Sequence, residues 1–114
     1  MFFVRLLPIA ALLAATPASA ANINYIGTWA TNTAQCKIPQ DRQGAPMILN
    51  AKGYDQHEAH CRFASVKKVL GGWRMAAECT VEGSVQRDTL RAKVSADTLV
   101  LTSGKVTRTL KRCP

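Results

Sequence analysis

A chain of 114 residues holds one domain, and 47% apolar against 19% charged side chains excludes an extended polyelectrolyte. Lys and Arg number 15 against 7 acidic residues, a net charge of +8, which favours acidic partners. Aromatic residues make up 6% of the chain, which argues against nucleic acid, because strand binding wants stacking platforms between the cations.

Residues 1–20 have the three parts of a secretory signal: a positive start at Arg5, an uncharged run from Leu6 to Ala15, and Thr16-Pro17-Ala18-Ser19-Ala20. The run falls short of the roughly 20 apolar residues a membrane span needs, which counts against an uncleaved anchor helix. Pro17 breaks the helix and Ala18-x-Ala20 offers small side chains to a signal peptidase, so cleavage is expected after Ala20. No cysteine stands at that point to carry a lipid. Of the basic residues Arg5 alone lies in the leader, so residues 21–114, the expected single β domain, keep the positive excess. No later stretch is apolar enough to span a bilayer, and a periplasmic or secreted location follows.

Cys36, Cys61, Cys79 and Cys113 all lie beyond the leader, and an even count in a small exported domain predicts two disulfides. Constraining the unfolded state matters to a domain with so modest a core. Three pairings are open. A two-residue Gly71-Gly72 turn sets Leu70 opposite Trp73 and Cys79 opposite Ala64, three residues from Cys61. That count favours Cys36–Cys61 with Cys79–Cys113.

From Tyr25 onward, short strand-like runs alternate with turn residues at close spacing. Tyr25 to Ala30 is the first. Thr31 to Pro46, with Pro39, Gly44 and Pro46, is a loop with room for a one-turn helix at Thr31–Lys37. Pro46 to Asn50 is the second strand, ended by Lys52-Gly53. Ala59 to Phe63 is the third and Val66 to Leu70 a fourth piece, with another one-turn helix allowed at Asp55–His60. After Gly71-Gly72, where glycine permits a tight hairpin, Trp73, Met75, Ala77, Cys79 and Val81 alternate with polar or small residues. Glu82-Gly83-Ser84 turns the chain. Leu90, Ala92 and Val94 alternate in the same way, Thr98–Thr102 follows the turn Ser95-Ala96-Asp97, and Lys105 to Cys113 comes last. The expected fold is all-β, an antiparallel meander closing into a six- to eight-stranded barrel with two disulfides.

Gly27-x-Trp29 on the first strand, followed by an up-and-down run, resembles the opening of lipocalin-like barrels, including the periplasmic barrels that inhibit proteases or lysozymes. The resemblance implies that Gly27 and Trp29 pack one barrel end under a basic residue of the last strand, Arg108 or Arg112, through a cation–π contact. It covers the topology loosely and one three-residue motif. Two features depart from those inhibitors: only Ala21–Ile26 stand between the leader and the motif, and the lysozyme-inhibitor loop signature is missing. The layout is also similar to small exported bacterial disulfide-containing β proteins of unassigned function, through Gly-x-Trp, the cysteine soon after it, and Glu78-Cys79-x-x-Glu82-Gly83.

Few residues combine into chemistry. Gln56-His57-Glu58-Ala59-His60-Cys61 holds metal-ligating types, but the histidines are three apart rather than four and Cys61 is expected in a disulfide, so no metal is assigned. Neither Ser65 nor Ser84 lies in a nucleophile elbow, and Glu58, Glu78 and Glu82 read as solvated carboxylates, so no catalytic residue and no cofactor is assigned. The signal that remains is charge. Arg87, Arg91 and Lys93 share a strand face, and Lys105 and Arg112 lie on the last strand, together the candidate polyanion contacts. The expected function is a non-enzymatic binding domain with an envelope or secreted protein partner, such as a hydrolase it inhibits. The alternative is a polyanion binder of lipopolysaccharide or acidic polysaccharide.

Overall fold

The structure, a computed structural model, describes residues 24–114. The expected leader and its cleavage site lie outside the described residues. Eight strands follow in chain order: β1 Gly27–Ala30, β2 Met47–Asn50, β3 Gly53–Gln56, β4 Ala59–Val69, β5 Gly72–Val81, β6 Ser84–Ser95, β7 Thr98–Ser103 and β8 Val106–Arg112. Each pairs antiparallel with the next, and β8 returns to β1, so the meander closes into an eight-stranded barrel. Closure pairs most of the sheet edge that would otherwise template aggregation, leaving overhangs where the long central strands outrun their neighbours.

Alternation fixes which side chains fill the interior. Met75, Ala77 and Cys79 of β5, Leu90 and Ala92 of β6, and Leu99 and Leu101 of β7 are buried, while the residues between them are more exposed. Trp29, Met47, Leu49, Met75, Leu99 and Leu110 are almost wholly shielded from solvent and form the packed centre. At eight strands a barrel is about wide enough to be filled by its own side chains.

The third and fourth sequence runs are one strand. β4 passes from Ala59 to Val69 with a register shift between Phe63 and Ser65, a bulge at Ala64. Sequence pattern missed β3, four residues that include Gly53, Asp55 and Gln56 and carry little strand propensity. The loop after β1 contains a 3-10 helix at Thr33–Lys37, capped by Asn32, whose side chain accepts the Ala34 N–H at 2.8 Å. Asp55–His60, the other candidate for a helical turn, is strand and hairpin instead.

All four cysteines are bonded, as Cys36–Cys113 and Cys61–Cys79, which overturns the pairing inferred from turn counting. The turn residues are Leu70 and Gly71, with Val69 opposite Gly72, one step earlier than the glycine pair suggested. The bulge at Ala64 then moves the register once more and brings Cys61 directly opposite Cys79. Cys36–Cys113 ties the 3-10 helix to the end of β8 across a sequence separation of 77. It reinforces a narrow seam: β1 and β8 share the pairs Trp29–Arg112 and Ala30–Lys111, with the Cys113 N–H donating to the Thr28 carbonyl at 2.8 Å. Bonded cysteines fit a compartment outside the reducing cytosol. Among the described residues, no helix is long and apolar enough to cross a membrane.

Candidate functional site

One end of the barrel is sealed around Trp29. Its indole N–H donates to the Tyr25 carbonyl at 2.8 Å, and the Arg112 guanidinium lies 4.3 Å from the ring centroid. Arg112 also donates to the carbonyls of Ile26 (3.2 Å) and Asn24 (3.0 Å), tying the chain before β1 to the last strand. Tyr25 meets Phe63 and Trp73 edge-on, with centroids 6.5 and 5.3 Å away. Gly27 has φ of +153°, and a Cβ there would come within 2.9 Å of Arg112 Nη1. The Gly-x-Trp motif therefore has a local cause: the glycine leaves space for a cation over the indole.

Arg108 does not take that part. It lies four residues nearer the opposite end, where Nη1 and Nη2 both reach Gln56 Oε1 at 3.3 Å. Because β8 and β3 are not neighbours in the barrel, this contact crosses its interior. Among the described residues no carboxylate comes within ion-pair distance of Arg108. Tyr54 belongs to the same inner group. Burial pushes its phenol pKa up, the Arg108 charge pulls it down and Asp88 raises it further. Asp88 accepts a hydrogen bond from the Ser103 hydroxyl at 2.9 Å. Gln56 donates to the Ala45 carbonyl at 3.1 Å, holding the β1–β2 loop against this end.

The two histidines separate. His60 points outward and meets Asp55 at 2.7 Å, while His57 sits in the β3–β4 turn with φ of +51° and its Nδ1 3.2 Å from the Gln40 carbonyl. Neither joins a further pair of ligating side chains among the described residues.

On the outer wall the barrel gathers cations that are far apart in sequence. Lys67 of β4 stands directly opposite Arg74 of β5, and Arg74 directly opposite Arg91 of β6. All three are exposed. Directly opposed residues have Cβ atoms about 5 Å apart, and like charges there repel. Lys93, one strand step beyond Arg91 on the same face, extends the row toward the β4–β5 turn. Two steps the other way the charges alternate: Glu78 stands between Arg62 and Arg87, with Arg87 Nε 3.5 Å from its carboxylate.

The basic set read from the sequence is thus divided. Arg91 and Lys93 stay on the outer row, Arg87 faces Glu78, Arg112 covers Trp29, and Lys105 sits in the β7–β8 turn at the far end. Lys67 and Arg74 join the row although sequence reasoning gave them no site. Their spacing from the β4–β5 turn is the signal that finds them, once that turn is placed at Leu70-Gly71. Compared with protein-family models, with curated proteins and with solved structures, the chain matches none of them.

Proposed function

We propose that this chain is a non-enzymatic binding domain of the cell envelope or secreted space, and that its β4–β5–β6 wall engages a polyanion. The observation that carries the reading is the register Lys67–Arg74–Arg91. Two like-charge pairs side by side cost stability that a folding requirement alone does not explain. A phosphate- or carboxylate-bearing polymer lying across the strands neutralises all three. The filled interior supports an outer-wall site over a cargo cavity, since Trp29, Met75 and Leu99 occupy the space a ligand would need. The leader-like pattern of residues 1–20 and the two disulfides support the location.

The test is retention on immobilised lipopolysaccharide or acidic polysaccharide over a salt series. Affinity should fall steeply with salt, and Arg74→Glu with Arg91→Glu should abolish retention at moderate ionic strength. Binding that ignores salt, or survives both charge reversals, rejects the reading.

A protein partner, such as a hydrolase that the domain inhibits, is the second reading. It is favoured by the β5–β6 hairpin, whose residues Ser84–Thr89 are exposed on both faces and pair with β5 while β7 covers Leu90 to Ser95. The overhanging edge offers backbone groups for strand addition. A stoichiometric complex weakened by substitutions in Ser84–Thr89, and insensitive to Arg74→Glu, would decide for it.

A further inference from the structure

The β4–β5 turn is made of Leu70 and Gly71. Gly71 takes the left-handed position, with φ of +86°, and meets the conformational demand of the turn. Leu70 is not required by it. Turn positions are mostly filled by Gly, Pro, Asn, Asp or Ser, and here a leucine is fully exposed, at 103% of its reference area. Scattered exposed leucines are ordinary, but this one is the summit of a hairpin with a particular collar.

Immediately behind the tip stands Trp73, half-buried, with the Lys68 ammonium 5.3 Å from its ring centroid. Lys93 runs along the turn, its Cε 3.7 Å from where a Cβ on Gly71 would lie. One to two strand steps further back are Lys67, Arg74 and Arg91. At about 3.3 Å per residue, this ring of cations lies within roughly 10 Å of the summit. No acidic residue occurs between Ala59 and Ala77, so neither strand near the tip carries a compensating charge.

An apolar point, an aromatic ring at its base and a collar of ammonium and guanidinium groups match the layers of a lipid surface: acyl chain, interface and anionic headgroup. The geometry points to an anionic lipid membrane as the partner of this end of the barrel, with Leu70 inserted among the acyl chains and Lys67, Lys68, Arg74, Arg91 and Lys93 on the headgroups. This deepens the polyanion reading and rests on it. A soluble polyanion would use the cations and leave Leu70 idle, whereas a bilayer uses both.

The experiment compares sedimentation with vesicles of equimolar phosphatidylglycerol and phosphatidylethanolamine, vesicles of pure phosphatidylcholine, and soluble polyphosphate. The wild-type chain should bind the anionic vesicles and the polyphosphate but not phosphatidylcholine. Leu70→Ser should weaken vesicle binding roughly tenfold, the loss of one partly inserted leucine, and leave polyphosphate binding unchanged. Leu70→Trp should shift its emission to the blue on anionic vesicles. If Leu70→Ser binds vesicles as well as wild type, or if the Leu70→Trp emission stays put, insertion is overturned and the polyanion reading stands. Binding to polyphosphate without binding to vesicles has the same meaning. Failure to bind either rejects both. Urea midpoints of the variants verify that each is folded.

Discussion

The Arg112 guanidinium carbon lies over Trp29, 4.3 Å from the ring centroid, in a space that exists because residue 27 has no side chain. The same guanidinium holds the carbonyls of Asn24 and Ile26, so one residue both covers the barrel end and fastens the chain entering it.

Gly27→Ala should therefore destabilise the fold by about 1–3 kcal/mol, through an unfavourable backbone conformation and displacement of Arg112. Arg112→Ala should cost a similar amount, about 1–3 kcal/mol, from the lost stacking and hydrogen bonds. Because both act on one contact, the double variant should lose less than the two effects added together. Urea unfolding of the four proteins checks this. Additive losses would mean that the glycine and the arginine act independently.

Arg74→Gln should raise stability by about 0.2–1 kcal/mol, since it removes two like-charge oppositions at once, with Lys67 and with Arg91. The same substitution should lower affinity for lipopolysaccharide. Thermal midpoints and salt-dependent retention, measured on one preparation, would reveal the trade between stability and binding. A variant that loses stability would show that these side chains splay apart without repelling.

Tyr54 predicts a response to alkali. Burial raises its pKa above 10 in the folded chain, Asp88 adding to the shift and Arg108 opposing it. A raised folded-state pKa contributes stability that is fully present below the unfolded-state value near 10 and is lost as pH rises through the folded-state value. The wild-type chain should weaken above about pH 10 more steeply than Tyr54→Phe, which has no phenol to ionise. Identical pH profiles for the two would place the phenol in contact with solvent.

The two disulfides should contribute unequally. Closing a loop with a sequence separation of 77 constrains the unfolded chain by about 4 kcal/mol, against about 3 kcal/mol for a separation of 18. Replacing Cys36 and Cys113 with alanine should lower the urea midpoint further than opening Cys61–Cys79 by mild reduction. Peptide mapping that recovers Cys36 linked to Cys61 would contradict the pairing outright.

The barrel could be read from alternation because one apolar face must be buried, and Trp73 to Val81 states that requirement residue by residue. Register could not. A bulge at Ala64 leaves no trace in the pattern when Ala64 and Ser65 are both small, yet it decides which residue faces Cys61. Leu70 compounded the error, because a leucine reads as the end of a strand rather than half of a turn. The cation row suffered from the same gap. Lys67, Arg74 and Arg91 are each ordinary outward residues of their own strands, and their adjacency exists only across three of them. Trp29 and a covering arginine were legible from Gly-x-Trp, but choosing Arg112 over Arg108 required knowing where β8 meets β1.

The narrow seam between the first and eighth strands bears on how the molecule is made. Its two residue pairs and its disulfide unite segments from opposite ends of the domain, so none of them can form until β8 has been delivered. The hairpins β4–β5 and β5–β6 need no such wait, being local. A folding chain can therefore hold these central ribbons early while it stays open along one side. It becomes a cylinder only when β8 pairs with β1, which also brings Cys113 beside Cys36.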